Sequence, residues 1–188
     1  MRKLIVLLVA LVAASAMGAT GWYSDYIIVS GVQNLGSNGG YLWIGGDPSY
    51  GSAFDGFNLG NVPQAGFSVG ADMRYWSDTQ DRDGGAFYWQ LEGATSPNEV
   101  IWTQTFLGGN DYQGTSATST SIGNGASLGQ HTLTVWAKSW GTTEVPGDSW
   151  LNNGGANYSA TFTTVPEPTT LVLIGAGIAG LLAFRRRR

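Results

Sequence analysis

The sequence predicts an all-β protein, a β-sandwich of immunoglobulin-like or jelly-roll type, between an N-terminal signal peptide and a C-terminal membrane helix. Seven segments of the body alternate apolar with polar side chains and are rich in β-branched and aromatic residues, which is typical of strands. Clusters of Gly, Asn, Ser and Pro separate these segments. The body shows no sustained helical period. Seven or more short strands form a sandwich or a barrel, and we favour the sandwich.

Residues 1–19 have the three parts of a secretory signal peptide. Arg2 and Lys3 form a positive start, and the apolar run Leu4–Ala14 follows. Ala14-Ser15-Ala16 fits the small-residue cleavage rule, and Ala16-Met17-Gly18 is a second choice. We therefore expect signal peptidase to cleave between residues 16 and 19.

Residues 20–164 form the predicted exported domain. In the segment Gly66–Trp76, alternation directs five side chains to one face, namely Phe67, Val69, Ala71, Met73 and Tyr75. In His131–Lys138 it sets Leu133, Val135 and Ala137 opposite Thr132, Thr134 and Trp136. The Ser/Thr/Gly-rich segment Gly114–Asn124 is expected to be a loop or an exposed edge. The other predicted strands are Asp25–Val32, Tyr41–Ile44, Ala86–Glu92, Glu99–Leu107 and Ala156–Val165.

Charge and composition exclude several functions. The body has three basic and twelve acidic residues, a net charge of about −9, which disfavours nucleic acid as a partner. The chain has no Cys, so it has no disulfide, thiolate metal site or Cys nucleophile. His131 is its single His, and its place at a strand start favours a structural role over that of a catalytic base. No motif marks a pair of catalytic carboxylates, so we predict no enzymatic activity.

The acidic segment from Asp78 to Gly85 offers a weak calcium site. Asp78, Asp81 and Asp83 carry the oxygen ligands that Ca²⁺ prefers. An EF-hand alignment of the segment lacks the acids of the first and twelfth positions, so this is not an EF-hand. Such a segment is more often a solvated turn, and we predict no cofactor.

Eight Trp residues are many for a chain of 188 residues. Alternation and Gly/Asn-rich surroundings favour outer faces or loops for Trp22, Trp76, Trp136, Trp140 and Trp150, and the core for Trp43, Trp89 and Trp102. Exposed aromatic rings stack on the faces of sugars, so Trp136, Trp140 and Trp150 are candidate glycan contacts. The alternative is that Trp fills the core and stiffens turns.

The C-terminal segment combines three elements in a fixed order. Val165-Pro166-Glu167-Pro168 comes first, and its two prolines hold the backbone extended, as an accessible cleavage site requires. An apolar run follows, giving a predicted membrane helix at about residues 169–184. Arg185, Arg186, Arg187 and Arg188 end the chain and are expected to stay cytoplasmic, which places the body outside.

This order resembles the PEP-CTERM sorting signal of Gram-negative bacteria, over residues 165–188. The resemblance implies recognition by an exosortase, cleavage near Pro-Glu-Pro, and a host that makes extracellular polysaccharide. Similar tails also carry the label of an ice-binding protein C-terminal domain, which describes the tail alone. In the body, Leu128–Ala137 weakly resembles a late strand of bacterial immunoglobulin-like modules.

The tail also contains a G-x-G-x-x-G pattern at residues 175–180. A dinucleotide site needs a further strand and an acid about 20 residues on, and only eight residues remain. Gly175 with Ala179, and Ala176 with Gly180, instead form small-xxx-small pairs suited to membrane-helix packing.

These features predict an exported protein that is held in the inner membrane as a precursor and then reaches the cell surface or the extracellular matrix. A non-catalytic structural or adhesive role is the first hypothesis. A carbohydrate-binding module that uses exposed Trp is the second, and a glycan-active enzyme the third. Extracellular polysaccharide is an expected partner in the first two hypotheses.

Overall fold

The computed structural model describes residues 19–45, 51–78, 82–141, 147–167, 173–176 and 178, with residues 117–121 described by their backbone alone. Twelve strands lie in this part of the chain, and a short 3-10 turn, Asn153–Gly155, precedes the last of them. The strands are β1 (Thr20–Ser30), β2 (Tyr41–Gly45), β3 (Ser52–Ala53), β4 (Phe57–Pro63), β5 (Phe67–Ser77), β6 (Gly84–Leu91), β7 (Asn98–Ile101), β8 (Thr103–Gly108), β9 (Asp111–Ile122), β10 (Gly129–Gly141), β11 (Gly147–Leu151) and β12 (Tyr158–Val165).

The strands form two sheets. The first has the order β3-β2-β1-β5-β9-β8. The second has the order β4-β12-β10-β6-β7, and β11 pairs with β10 beyond the end of β12. All pairs are antiparallel except β2–β3 and β4–β12. The all-β prediction is confirmed, while the assignment to an immunoglobulin-like or jelly-roll type stays a prediction.

One hydrophobic core joins the inner faces of both sheets. All five residues predicted for one face of β5 are buried, and so are Leu133, Val135 and Ala137 of β10. The sheets meet where Phe67 of β5 packs against Phe162 of β12, with ring centroids 5.1 Å apart. The alternation of the sequence therefore identified the buried faces of these strands correctly.

The segment Glu99–Leu107, predicted as one strand, is two strands in different sheets. β7 pairs with β6 in the second sheet, and β8 pairs with β9 in the first. The chain crosses between the sheets at Trp102, which is buried. A Cβ added at Gly85 would lie 1.9 Å from the Trp102 ring, and one added at Gly114 would lie 2.5 Å from it. The indole thus occupies the space left by two glycines, one from each sheet.

The segment Gly114–Asn124, predicted to be a loop or an exposed edge, is strand as far as Ile122. It belongs to β9, which pairs with β5 as far as Ile122. Its other side pairs with β8 only as far as Thr115. Ser and Thr form regular strands where neighbouring strands supply the hydrogen bonds, so a low-complexity composition did not make this segment a loop.

Two of the predicted Trp positions are wrong. Trp43 was assigned to the core, but it lies between the buried Leu42 and Ile44 on the opposite face of β2 and is only half-buried. Trp22 was assigned to an outer face, but it packs against the core beside Tyr75, with ring centroids 5.3 Å apart. Trp89 packs against the core as predicted.

Candidate functional site

Aromatic side chains gather on the outer face of the second sheet. Strand pairing places Trp136 of β10 opposite Tyr88 of β6, and Lys138 opposite Trp150 of β11. Trp140, two residues further along β10, shares this face by alternation. We call the group Tyr88, Trp136, Lys138, Trp140 and Trp150 the aromatic patch.

Tyr88 lies at the centre of the ring contacts. Its ring stacks on Trp136 with centroids 5.6 Å apart and an interplanar angle of 9°. It also contacts Trp150, with centroids 6.1 Å apart. Trp150 is 46% exposed, which is a large exposed surface for this side chain. The three rings form a contiguous apolar surface that solvent reaches.

Lys138 provides the positive charge of the patch. Its ammonium nitrogen lies 5.3 Å from the ring centroid of Trp140 and 5.2 Å from that of Trp150, both within cation–π range. The same nitrogen lies 3.5 Å from a carboxylate oxygen of Asp148. These contacts hold the ammonium between the two indoles.

Glu99 of β7 provides a negative group beside Tyr88. The Tyr88 hydroxyl donates a 2.5 Å hydrogen bond to Glu99 Oε1. Burial first, and then this hydrogen bond, raise the pKa of Tyr88 well above its ordinary value. A tyrosine phenol is protonated at physiological pH even at its ordinary pKa, so the Tyr88 hydroxyl is the donor in this hydrogen bond.

Trp140 differs from the other Trp residues of the patch because it covers a glycine. Gly84 of β6 is its pairing partner, and a Cβ there would lie 2.9 Å from the indole. Trp76 lies over Gly21 in the same way on the first sheet. A ring over a cross-strand glycine stabilises the sheet, so Trp140 has a structural role as well as a place in the patch.

Two of the three predicted calcium ligands lie among the residues that the structure describes, and each has a different neighbour. Asp78 follows the last residue of β5 and accepts a hydrogen bond from the Ala19 backbone N–H at 2.8 Å, and Asp83 precedes β6. Asp81 lies outside the described residues. Within the described ranges, no three His, Cys, Asp or Glu residues form a group that could hold a metal ion.

His131 makes contacts that suit a structural residue. Its Nε2 lies 2.8 Å from the backbone oxygen of Ser127, and its ring packs 5.3 Å from that of Phe162. Both contacts secure the start of β10 to its surroundings.

The predicted processing motif begins where the body ends. Val165 is the last residue of β12, and Pro166 and Glu167 follow it, all three half-buried. Glu167 Oε1 accepts a hydrogen bond from the Ala65 backbone N–H at 3.2 Å. Pro168 lies outside the described residues. The motif is predicted to be an accessible cleavage site, and its described residues are half-buried, with Glu167 joined to the body by this exposed hydrogen bond.

Little of the predicted membrane helix is described. Residues 173–176 and 178 are helical and exposed, and they include Gly175 and Ala176. Ala179, Gly180 and the four arginines lie outside the described residues, as do residues 1–18 of the predicted signal peptide. Among the helical residues that the structure describes, no helix has the length and apolar character needed to cross a membrane.

Sequence reasoning found three members of the patch and missed Tyr88 and Lys138. Alternation could have placed both on outer faces, because Tyr88 lies between Phe87 and Trp89, which point inwards. Nothing local to the sequence shows that β6 and β11 both flank the second half of β10.

Comparison with protein families identifies the C-terminal segment. The family model described as the PEP-CTERM protein-sorting motif matches residues 164–188, which agrees with the resemblance seen in the sequence. No curated protein matches the chain. The chain therefore carries a PEP-CTERM sorting motif, which indicates an exported protein that is targeted to an exosortase.

Proposed function

We propose that this protein is a non-catalytic β-sandwich of the cell surface or extracellular matrix that adheres to polysaccharide through the aromatic patch. The sorting motif supports delivery of the body to the outside of the cell as an anchored precursor. The aromatic patch supports an adhesive role and favours carbohydrate as the ligand.

The observation that carries the proposal is the contiguous surface formed by Tyr88, Trp136 and Trp150. The axial C–H groups of a pyranose form an apolar face, which packs on aromatic rings. Sugar hydroxyls need donors and acceptors close by, and Lys138, Asp148 and Glu99 supply both. An open sheet face admits an extended polysaccharide chain of any length.

The polar groups of the patch favour binding over hydrolysis. Glu99 accepts a hydrogen bond from Tyr88, and Asp148 pairs with Lys138. A glycosidase needs two carboxyl groups that face the scissile bond, and here both carboxylates are engaged by side chains of the patch itself.

A glycan array with two matched variants tests the adhesive role. Trp150→Ala removes an exposed ring of the patch, and we expect it to weaken glycan binding about tenfold or more. Trp76→Ala removes a half-buried Trp from the outer face of the first sheet and serves as the control, with binding unchanged. If the wild-type body binds no glycan, the carbohydrate-binding role is wrong and a purely structural role is left.

Mass spectrometry of the mature protein tests the sorting role. We expect the Arg185–Arg188 cluster to be absent and a new C-terminus to lie near Pro166. An intact Arg188 on the mature surface protein would contradict processing.

A further inference from the structure

No linker separates the folded body from its sorting motif. β12 pairs in parallel with β4 as far as its last residue, where Val165 lies opposite Pro63. Pro166 and Glu167 continue directly from this pair and are half-buried. β12 lies inside the second sheet, between β4 and β10, so the start of the motif is fixed by the sheet itself.

The turn between β4 and β5 holds the next part of the motif. Its backbone is closed by a 2.8 Å hydrogen bond from the Gly66 N–H to the Pro63 oxygen. Within the turn, the Ala65 N–H points outwards and donates to the Glu167 carboxylate at 3.2 Å. The acidic residue of Pro-Glu-Pro is therefore bound by the body.

The turn is also fixed from its other side. The oxygen of Gln64 accepts a 3.2 Å hydrogen bond from the Gly125 N–H in the loop between β9 and β10. A Cβ at Gly66 would lie 2.5 Å from the backbone oxygen of Ile122, so the two loops are in close contact. The turn is thus a firm support for Glu167.

This arrangement has a consequence for cleavage. An enzyme that cuts a peptide chain must enclose several residues on both sides of the bond in its own cleft. A motif that lies half-buried on the body, with its carboxylate already bound, cannot enter such a cleft until it detaches. The free energy of detachment then adds to the barrier for processing.

We propose that the turn Pro63–Gly66 is a latch that binds Glu167 and limits the rate at which exosortase processes the precursor. The proposal rests on the exosortase processing that the sorting motif indicates. The body would then control the rate at which it is cut from its C-terminal anchor, in addition to any adhesive role. The partner of the latch is Glu167 of the same chain.

A spacer insertion tests the latch in cells that contain the exosortase. Inserting Gly-Ser-Gly-Ser after Thr164 keeps the four residues of the motif intact and moves Glu167 away from Ala65. The control inserts the same four residues between Thr95 and Ser96, in the exposed turn between β6 and β7. Pulse-chase labelling then gives the rate at which each precursor loses its tail.

We expect the Thr164 insertion to be processed about three- to tenfold faster than the wild type, which is the factor for losing one ordinary, solvent-exposed hydrogen bond. The control insertion should be processed at the wild-type rate. If the Thr164 insertion is processed at the same rate or more slowly, the latch is wrong. If the wild-type precursor also keeps its tail, exosortase processing itself is wrong. The wild type therefore distinguishes a failure of the sorting function from a failure of the latch alone.

Hydrogen exchange of the full-length precursor in detergent gives a second test without the exosortase. The Ala65 amide should exchange several-fold faster in Glu167→Ala than in the wild type, because its acceptor is gone. The Val135 amide, in the buried part of β10, reports whether the fold is unchanged. Equal exchange of Ala65 in both proteins would overturn the latch.

Discussion

Trp102 and Trp150 have the same side chain in opposite surroundings. Trp102 lies where the chain crosses between the sheets and is 5% exposed, enclosed by Gly85 and Gly114. Trp150 lies on the outer face of the second sheet and is 46% exposed, against Tyr88 and Lys138. The Trp residues therefore serve two purposes. The Trp102 ring fills the space that two glycines leave in the core, and the Trp150 ring forms part of an exposed surface.

Removing Trp102 is the strongest test of this comparison. Trp102→Ala leaves a large cavity between the sheets, and we expect it to lower the free energy of unfolding by about 3–5 kcal/mol. Urea denaturation followed by circular dichroism measures the change. A loss of less than about 1 kcal/mol, as for an exposed side chain, would show that the Trp102 ring does not fill the core.

The second test adds a methyl group to the glycine that faces the ring. Gly114→Ala places a Cβ 2.5 Å from the Trp102 indole, so we expect a loss of about 1–3 kcal/mol from overpacking. The same change in a Trp102→Ala background should cost less than about 0.5 kcal/mol, because the clash is gone. Additive losses in this double-mutant cycle would contradict direct contact as the cause.

The third test concerns a carboxyl group buried inside the protein, that of Asp25. Asp25 of β1 is fully buried, and its Oδ1 accepts a 2.9 Å hydrogen bond from the backbone N–H of Arg74. Its Oδ2 has no hydrogen-bond partner among the described residues. Burial first, with a smaller contribution from the charge of Asp72, raises the pKa of Asp25 well above its ordinary value.

The sign of the pH effect follows from the raised pKa. A carboxyl that prefers its neutral form in the folded protein stabilises the fold below its unfolded pKa, and this stability is lost as pH rises through the folded pKa. Asp25→Asn cannot ionise, so at pH 7 we expect it to be more stable than the wild type by about 1–3 kcal/mol. Unfolding measured from pH 4 to 8 should show the gap widening with pH, and a gap independent of pH would contradict this.

The smallest expected effect on stability is that of removing the exposed ring of Trp150. Trp150→Ala should change the free energy of unfolding by less than about 1 kcal/mol, because half of its surface is already in solvent. Glycan binding should fall in the same variant, as proposed above. A large loss of stability would place Trp150 with Trp102 as a structural residue and remove the main support for an adhesive patch.

The sequence alone determined the features that depend on local order. Alternation along β5 and β10 identified the buried faces, because successive side chains of a strand point to opposite sides wherever that strand is placed. The sorting motif was also readable, because it is a linear signal of three adjacent elements.

Only the tertiary structure decided the features that depend on which strands are neighbours. Tyr88 meets Trp136 because β6 flanks β10, and Trp102 fills the core because the chain changes sheets at that residue. Glu167 meets Ala65 across 102 positions of sequence because β12 lies beside β4. Period-2 alternation specifies the face of a strand but not its partner, which is set by packing of the whole core.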